Sequence, residues 1–198
     1  MNFDFLKECQ SGTEELGGLL DAVRQDLEAA EQCYFRSPRE SGIFLRRAAE
    51  KVCAIYNVYY ELGFPAETPL EGFLCYTGEE THNVAVSRFL SAVRKEQRDR
   101  LNKLRVLGDD CIGGEAAPDR GMTLPDRMAQ NARRMMETVM EVLKELCQRV
   151  YKREAAADIF FSEERIPGGD KGHVKTEDKQ ERQGIFGFLR GSIFSRKN

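Results

Sequence analysis

Between residues 12 and 34 the apolar positions fall at Leu16, Leu19, Leu20, Val23, Leu27, Ala30 and Cys33. Steps of three and four place them on one face, so this stretch is predicted to be helical. Ser37-Pro38-Arg39-Glu40 interrupts the pattern and opens a second helix, since a proline in the first turn forfeits no hydrogen bond. That helix carries Phe44, Leu45, Ala48, Val52, Ile55, Tyr56, Tyr59 and Leu62, and Gly63-Phe64-Pro65 is expected to end it.

Residues 66–83 are less regular; Thr68-Pro69-Leu70-Glu71 is expected to open a short helix through Tyr76 that Thr77-Gly78 closes. A third long helix is expected from Val84 to Leu107, with Val86, Leu90, Val93, Gln97, Leu101 and Leu104 as its buried stripe and Gly108 as its stop. Residues 112–124, rich in glycine and proline, read as a loop. From Pro125 a last helix presents Met128, Ala132, Met135, Met136, Val139, Leu143, Leu146 and Val150 without a gap. The methionines suit irregular core spaces. No stretch alternates with the period of a strand, so the pattern predicts an all-α bundle of four to five helices over residues 1–158. Residues 159–183 are polar and read as a flexible linker. They lead to an amphipathic, basic segment at 184–198, the flexible C-terminal tail.

Composition narrows the class without naming an activity. Thirty basic against 33 acidic side chains leave a net charge of −3, which argues against a polycation built for nucleic acid. No run approaches the roughly 20 apolar residues of a spanning helix. The acidic start MNFDFLKE lacks the basic-then-apolar pattern of a signal peptide, so the expected location is the cytoplasm. The six cysteines form no CxxC pair and read as reduced, buried thiols. With His82 and His173 far apart, neither a metal nor another cofactor is expected.

Charge is concentrated in one place. Arg88, Arg94, Lys95, Arg98, Arg100, Lys103 and Arg105 stand against Glu96 and Asp99, a local excess of +5. Arg94, Lys95, Arg98, Lys103 and Arg105 are therefore candidate phosphate contacts. The competing reading is a solvated face with internal pairs such as Glu96 and Arg100. Arg46 and Glu50 stand four apart on the second helix, and together with Arg105 they are candidates for a charged network at a helix–helix seam.

Three segments carry a resemblance: Asn2-Phe3-Asp4-Phe5-Leu6-Lys7-Glu8, the stretch YFRSPRESGIFLRRAAE from Tyr34 to Glu50, and LRVLGDD from Leu104 to Asp110. Over residues 2–155 they resemble the small helical module at the N-terminus of type I restriction endonuclease R subunits, and through it the HEPN superfamily of helical bundles. Leu45, Arg46 and Glu50 match the first motif of that module, and Arg105 and Gly108 match the second. The resemblance implies an arginine and a histidine at the seam of a nuclease. Asp109 stands where asparagine is preferred, and Gly113 where the histidine is preferred. Glycine cannot transfer a proton. The expectation is thus a non-catalytic, dimeric interaction module of restriction-type or defence complexes that handle nucleic acid. The enzymatic alternative is a divergent, metal-independent ribonuclease using Arg105 with Asp109, Asp110 or His82.

The tail completes the expectation. Ile185, Phe186, Phe188, Leu189, Ile193 and Phe194 beside Arg190, Arg196 and Lys197 suit docking to a protein partner. A membrane is not the expected target, because Gly187 and Gly191 each weaken a free helix by about 1 kcal/mol.

Overall fold

The computed structural model describes residues 1–10, 12–75, 83–113, 122–153 and 159–167. They form six α-helices: α1 (Glu14–Cys33), α2 (Pro38–Tyr59), α3 (Leu70–Leu74), α4 (Val84–Ala92), α5 (Lys95–Gly113) and α6 (Leu124–Arg149). Short 3-10 turns cover Asp4–Glu8 and Glu163–Arg165. The described residues contain no strand, as the all-α pattern predicts. No helix among them is long and apolar enough to cross a membrane.

Local chemistry starts the long helices where the sequence marks them. Thr13 accepts from the Leu16 N–H at 3.3 Å to cap α1. Pro38 opens α2, and Thr123 caps α6 by accepting from the Asp126 N–H. The end of α2 is closed by Asn57, whose side chain donates to the Phe64 carbonyl and accepts from the Phe64 N–H at 2.9 and 3.0 Å. Gly63, at φ +89°, supplies the left-handed residue there.

Helix α2 is the centre of the bundle, packing against α1, α5 and α6, and α5 also packs against α6. The four-residue connection 34–37 folds α1 and α2 into a hairpin. Across it Asp26, only 5% exposed, accepts from Lys51 at 2.5 Å and pairs with Arg47 at 3.2 Å. Cross-contacts set the other directions. Arg39 meets Cys111 while Tyr56 meets Gln97, so α2 and α5 are antiparallel. Asp110 meets Asn131 while Arg100 meets Glu145, so α5 and α6 are antiparallel too. The core uses every predicted methionine and leucine of α6.

Four expectations need correction. The helix expected over Val84–Leu107 is two. Val93 adopts extended φ/ψ, and Arg98 folds back to donate to the Leu90 and Val93 carbonyls at 2.8 and 2.6 Å, satisfying the end of α4. Gly108 does not stop α5, which runs to Gly113. There Arg39 donates to the Cys111 and Ile112 carbonyls at 2.7 and 2.8 Å. Residues 159–167 do not form the flexible linker expected over 159–183. Ile166 is buried, Ile159 and Phe161 pack on the core, and Asn2 and Ser162 exchange hydrogen bonds of 3.0 and 2.8 Å. A polar average over residues 159–183 hid the few apolar anchors at its start. Of the cysteines, Cys75 is exposed and Cys33 half-buried, while the other four are buried as expected. The rest of the linker and the tail segment 184–198 lie outside the described residues.

Candidate functional site

The seam of α2 and α5 brings together Arg46 and Arg105, two of the three residues expected there. Arg46 Nε donates to Asp109 Oδ1 at 2.9 Å, and its Nη2 is paired with Glu71 of α3. Arg105 Nη1 donates to Asp109 Oδ2 at 2.8 Å, and its Nε to Asn102 Oδ1 at 3.0 Å. Asp109 is therefore a two-sided bridge, one oxygen to each guanidinium. Glu50 is not part of it. Its carboxylate accepts from the Leu70 N–H at 3.0 Å and pins the start of α3.

This cluster is electrically closed: two guanidiniums face two carboxylates, a formal charge of zero. Burial works against the charge on Arg46, but the hydrogen bond to Asp109 and the charges of Glu71 and Asp109 outweigh it and raise its pKa. Burial likewise pushes the Glu71 carboxyl up, yet its own backbone N–H and the Arg46 guanidinium hold it below the usual carboxylate value. Both shifts favour the ionised pair. A phosphate approaching this seam would have to displace a carboxylate already in place.

Asp110 points the other way. It accepts from Asn131 Nδ2 at 2.7 Å and pairs with Arg127 at 3.4 Å, tying α5 to α6. His82 lies outside the described residues. Gly113 sits eight residues beyond Arg105 on the same helix, a rise of about 12 Å. A side chain at Gly113 would meet nothing within 4 Å. No steric demand therefore accounts for the glycine there.

The basic run dissolves on inspection. Arg98 is spent on the α4 carbonyls, Arg105 on Asp109, and Arg100 on Glu145 of α6 at 3.4 Å rather than on Glu96. Arg94, Lys95 and Lys103 remain exposed, with Glu96 and Asp99 exposed among them. Lys95 and Lys103 are about 80° apart around the helix axis, so the three cations form no single stripe.

Two features escaped the sequence. An open cleft of about 600 Å³ lies between the α1–α2 turn, α6 and residues 159–167, lined by Tyr34, Phe35, Pro38, Arg133, Arg134 and Glu163 among others. Tyr34 donates to Glu163 at 2.6 Å across it, and burial and that carboxylate raise the tyrosine pKa. Glu71 is the second: nothing local to a five-residue helix signals that it will meet an arginine 25 positions earlier. None of the predicted site residues that are described lines the cleft. No His/Cys/Asp/Glu group that would hold a metal ion occurs among the described residues.

No family model matches this chain, and neither a curated protein nor a solved structure matches it.

Proposed function

We propose that this protein is a non-catalytic, HEPN-like helical interaction module of the restriction-associated kind, working in a complex that processes nucleic acid. The observation that carries the non-catalytic part is the closed seam. Arg46 and Arg105 both end on Asp109, Arg46 also on Glu71, and Gly113 supplies no imidazole. A nuclease seam needs a cation facing substrate phosphate and a group able to move a proton. Here the cations face carboxylates and serve to lock α3 and α5 onto α2.

The resemblance to the restriction-subunit module supplies the nucleic-acid setting, and the exposed Arg94, Lys95 and Lys103 allow auxiliary phosphate contact. A protein partner engages the segment 184–198, and a second copy of the chain completes a dimer.

The test is incubation of the intact chain with single- and double-stranded RNA and DNA across a salt series. The expected result is uncut nucleic acid and weak binding. Three free cations predict a plot of log affinity against log salt with a slope of about −3 on duplex DNA. Cleavage that Arg105→Ala abolishes would overturn the reading in favour of the ribonuclease alternative.

A further inference from the structure

Cys9 and Cys147 stand outside the seam and outside the cleft. Cys9 follows the N-terminal 3-10 turn, and Cys147 lies in the last turn of α6. Their sulfurs are 3.1 Å apart, and both thiols are free and buried. A disulfide bond needs about 2 Å between sulfurs, so the pair is about 1 Å from bonding distance. We infer that Cys9 and Cys147 are a dithiol that a peroxide oxidises to a disulfide within the folded protein.

The two sulfurs are not equivalent. The Cys147 thiol stabilises the Cys9 thiolate and lowers its pKa against the opposing effect of burial, with help from Arg24 and Arg153. Cys147 is held far up by its hydrogen bond to Cys9 and by burial. Cys9 is also 5% exposed where Cys147 is fully buried, so Cys9 is the nucleophile and Cys147 the resolving thiol. The Cys9 thiolate attacks one oxygen of hydrogen peroxide; an S–O bond forms, the O–O bond breaks, and the departing hydroxide leaves as water with the proton Cys9 gave up. The Cys147 sulfur then attacks the sulfenic sulfur. The S–S bond forms, the S–O bond breaks, and the Cys147 proton goes with the hydroxide as a second water. Two electrons pass from the sulfurs to the peroxide.

The geometry also gives the bond a mechanical effect. Residues 1–10 are held by the buried Phe3 and Leu6 and by polar contacts: Asn2 to Glu31 and Ser162, the Leu6 carbonyl to Arg24, and Glu8 to Arg153. Opening this segment bares Cys9. The disulfide closes a chain loop across a separation of 138 positions and fastens the segment to α6.

The intact, reduced chain should be treated with hydrogen peroxide under native conditions, quenched, alkylated in denaturant and mapped by mass spectrometry. The expected product links the Cys9 and Cys147 peptides at 2 Da below their summed mass, and dithiothreitol reverses it. The same link should form in a Cys33→Ser/Cys75→Ser variant, which removes the more accessible thiols. The oxidised chain should melt higher by at least about 5 °C, and Cys9→Ser should lose that oxidant-induced rise. Recovery of Cys9 and Cys147 as separate alkylated peptides would overturn the inference, as would a link that forms only when peroxide is added in denaturant.

Discussion

Gly108 of α5 lies directly against Arg46 of α2. A β-carbon at Gly108 would stand 2.6 Å from Cβ of Arg46 and 2.7 Å from its Cδ. The missing side chain lets α2 and α5 approach closely enough for Arg46 to reach Asp109, the next residue along α5. Glycine in a helix interior costs about 1 kcal/mol relative to alanine. Here that cost secures a contact.

Gly108→Ala should therefore destabilise despite its better helix propensity. The clash is with the base of the Arg46 side chain, which cannot swing away, and overpacking of this kind costs about 1–3 kcal/mol. A net loss of up to about 2 kcal/mol in urea unfolding is expected after the propensity gain. Gly113→Ala, with open space around it, should stay within about 0.5 kcal/mol of the natural chain.

Asp109→Asn removes the shared anion from two guanidiniums. The side chain is 41% exposed, so the loss is expected at only about 1 kcal/mol rather than the larger figure for a buried pair. The seam would carry a net +1. Binding to duplex DNA should strengthen at low salt, with the salt slope steeper by about one. An unchanged slope would mean that the seam does not communicate with bound phosphate at all.

Glu31 links charge burial to pH. It is 1% exposed, accepts from the Asn2 backbone N–H and Nδ2, both at 2.9 Å, and leaves Oε2 without a hydrogen-bond partner among the described residues. Burial raises its pKa above the ordinary 4.5, against the opposing Asn2 bonds. The native state thus binds this proton more tightly than the unfolded state. The stabilisation is complete below pH 4.5 and is lost as pH rises through the elevated value. Glu31→Gln keeps the acceptor and removes the charge, so its Tm should exceed that of the natural chain at pH 7. The difference should vanish as the pH approaches 4.5.

Tyr34→Phe deletes the donor that holds Glu163. A hydrogen bond to a charged group is worth about 1.5–3 kcal/mol when well buried, and this partly buried one should cost about 1 kcal/mol. The loss should be local. Limited proteolysis within residues 159–167 should accelerate before global unfolding changes.

Removal of residues 184–198 should leave Tm within about 2 °C, because the apolar core of the described residues closes between Phe3 and Ile166. Association with a partner should weaken. A collapse in Tm would instead place the tail in the core.

Much of the bundle was legible in the chain because helical periodicity is a local property. The stripes of α1, α2 and α6 and the prolines that open α2 and α6 each report on neighbours three or four residues away. The intruding Gln97 was visible too, although only packing shows that its amide donates to Tyr56 and to the Val142 carbonyl. Gly108 illustrates the limit. By local rules it is a stop signal, and only the approach of Arg46 turns it into a contact inside a continuous helix. Arg98 and Arg105 counted toward a basic face until folding supplied the carbonyls and the carboxylate that occupy them.

The residue order thus determined that the chain would be helical, which faces would be buried and roughly where the long rods begin. Tertiary structure decided which charges are cancelled, where α4 parts from α5, and that Cys9 meets Cys147. The physical reason is distance along the chain. Burial patterns repeat within a turn of helix, whereas Arg46 with Glu71, Arg46 with Asp109, and Cys9 with Cys147 join positions 25, 63 and 138 apart. Only the packing of whole helices brings such pairs together.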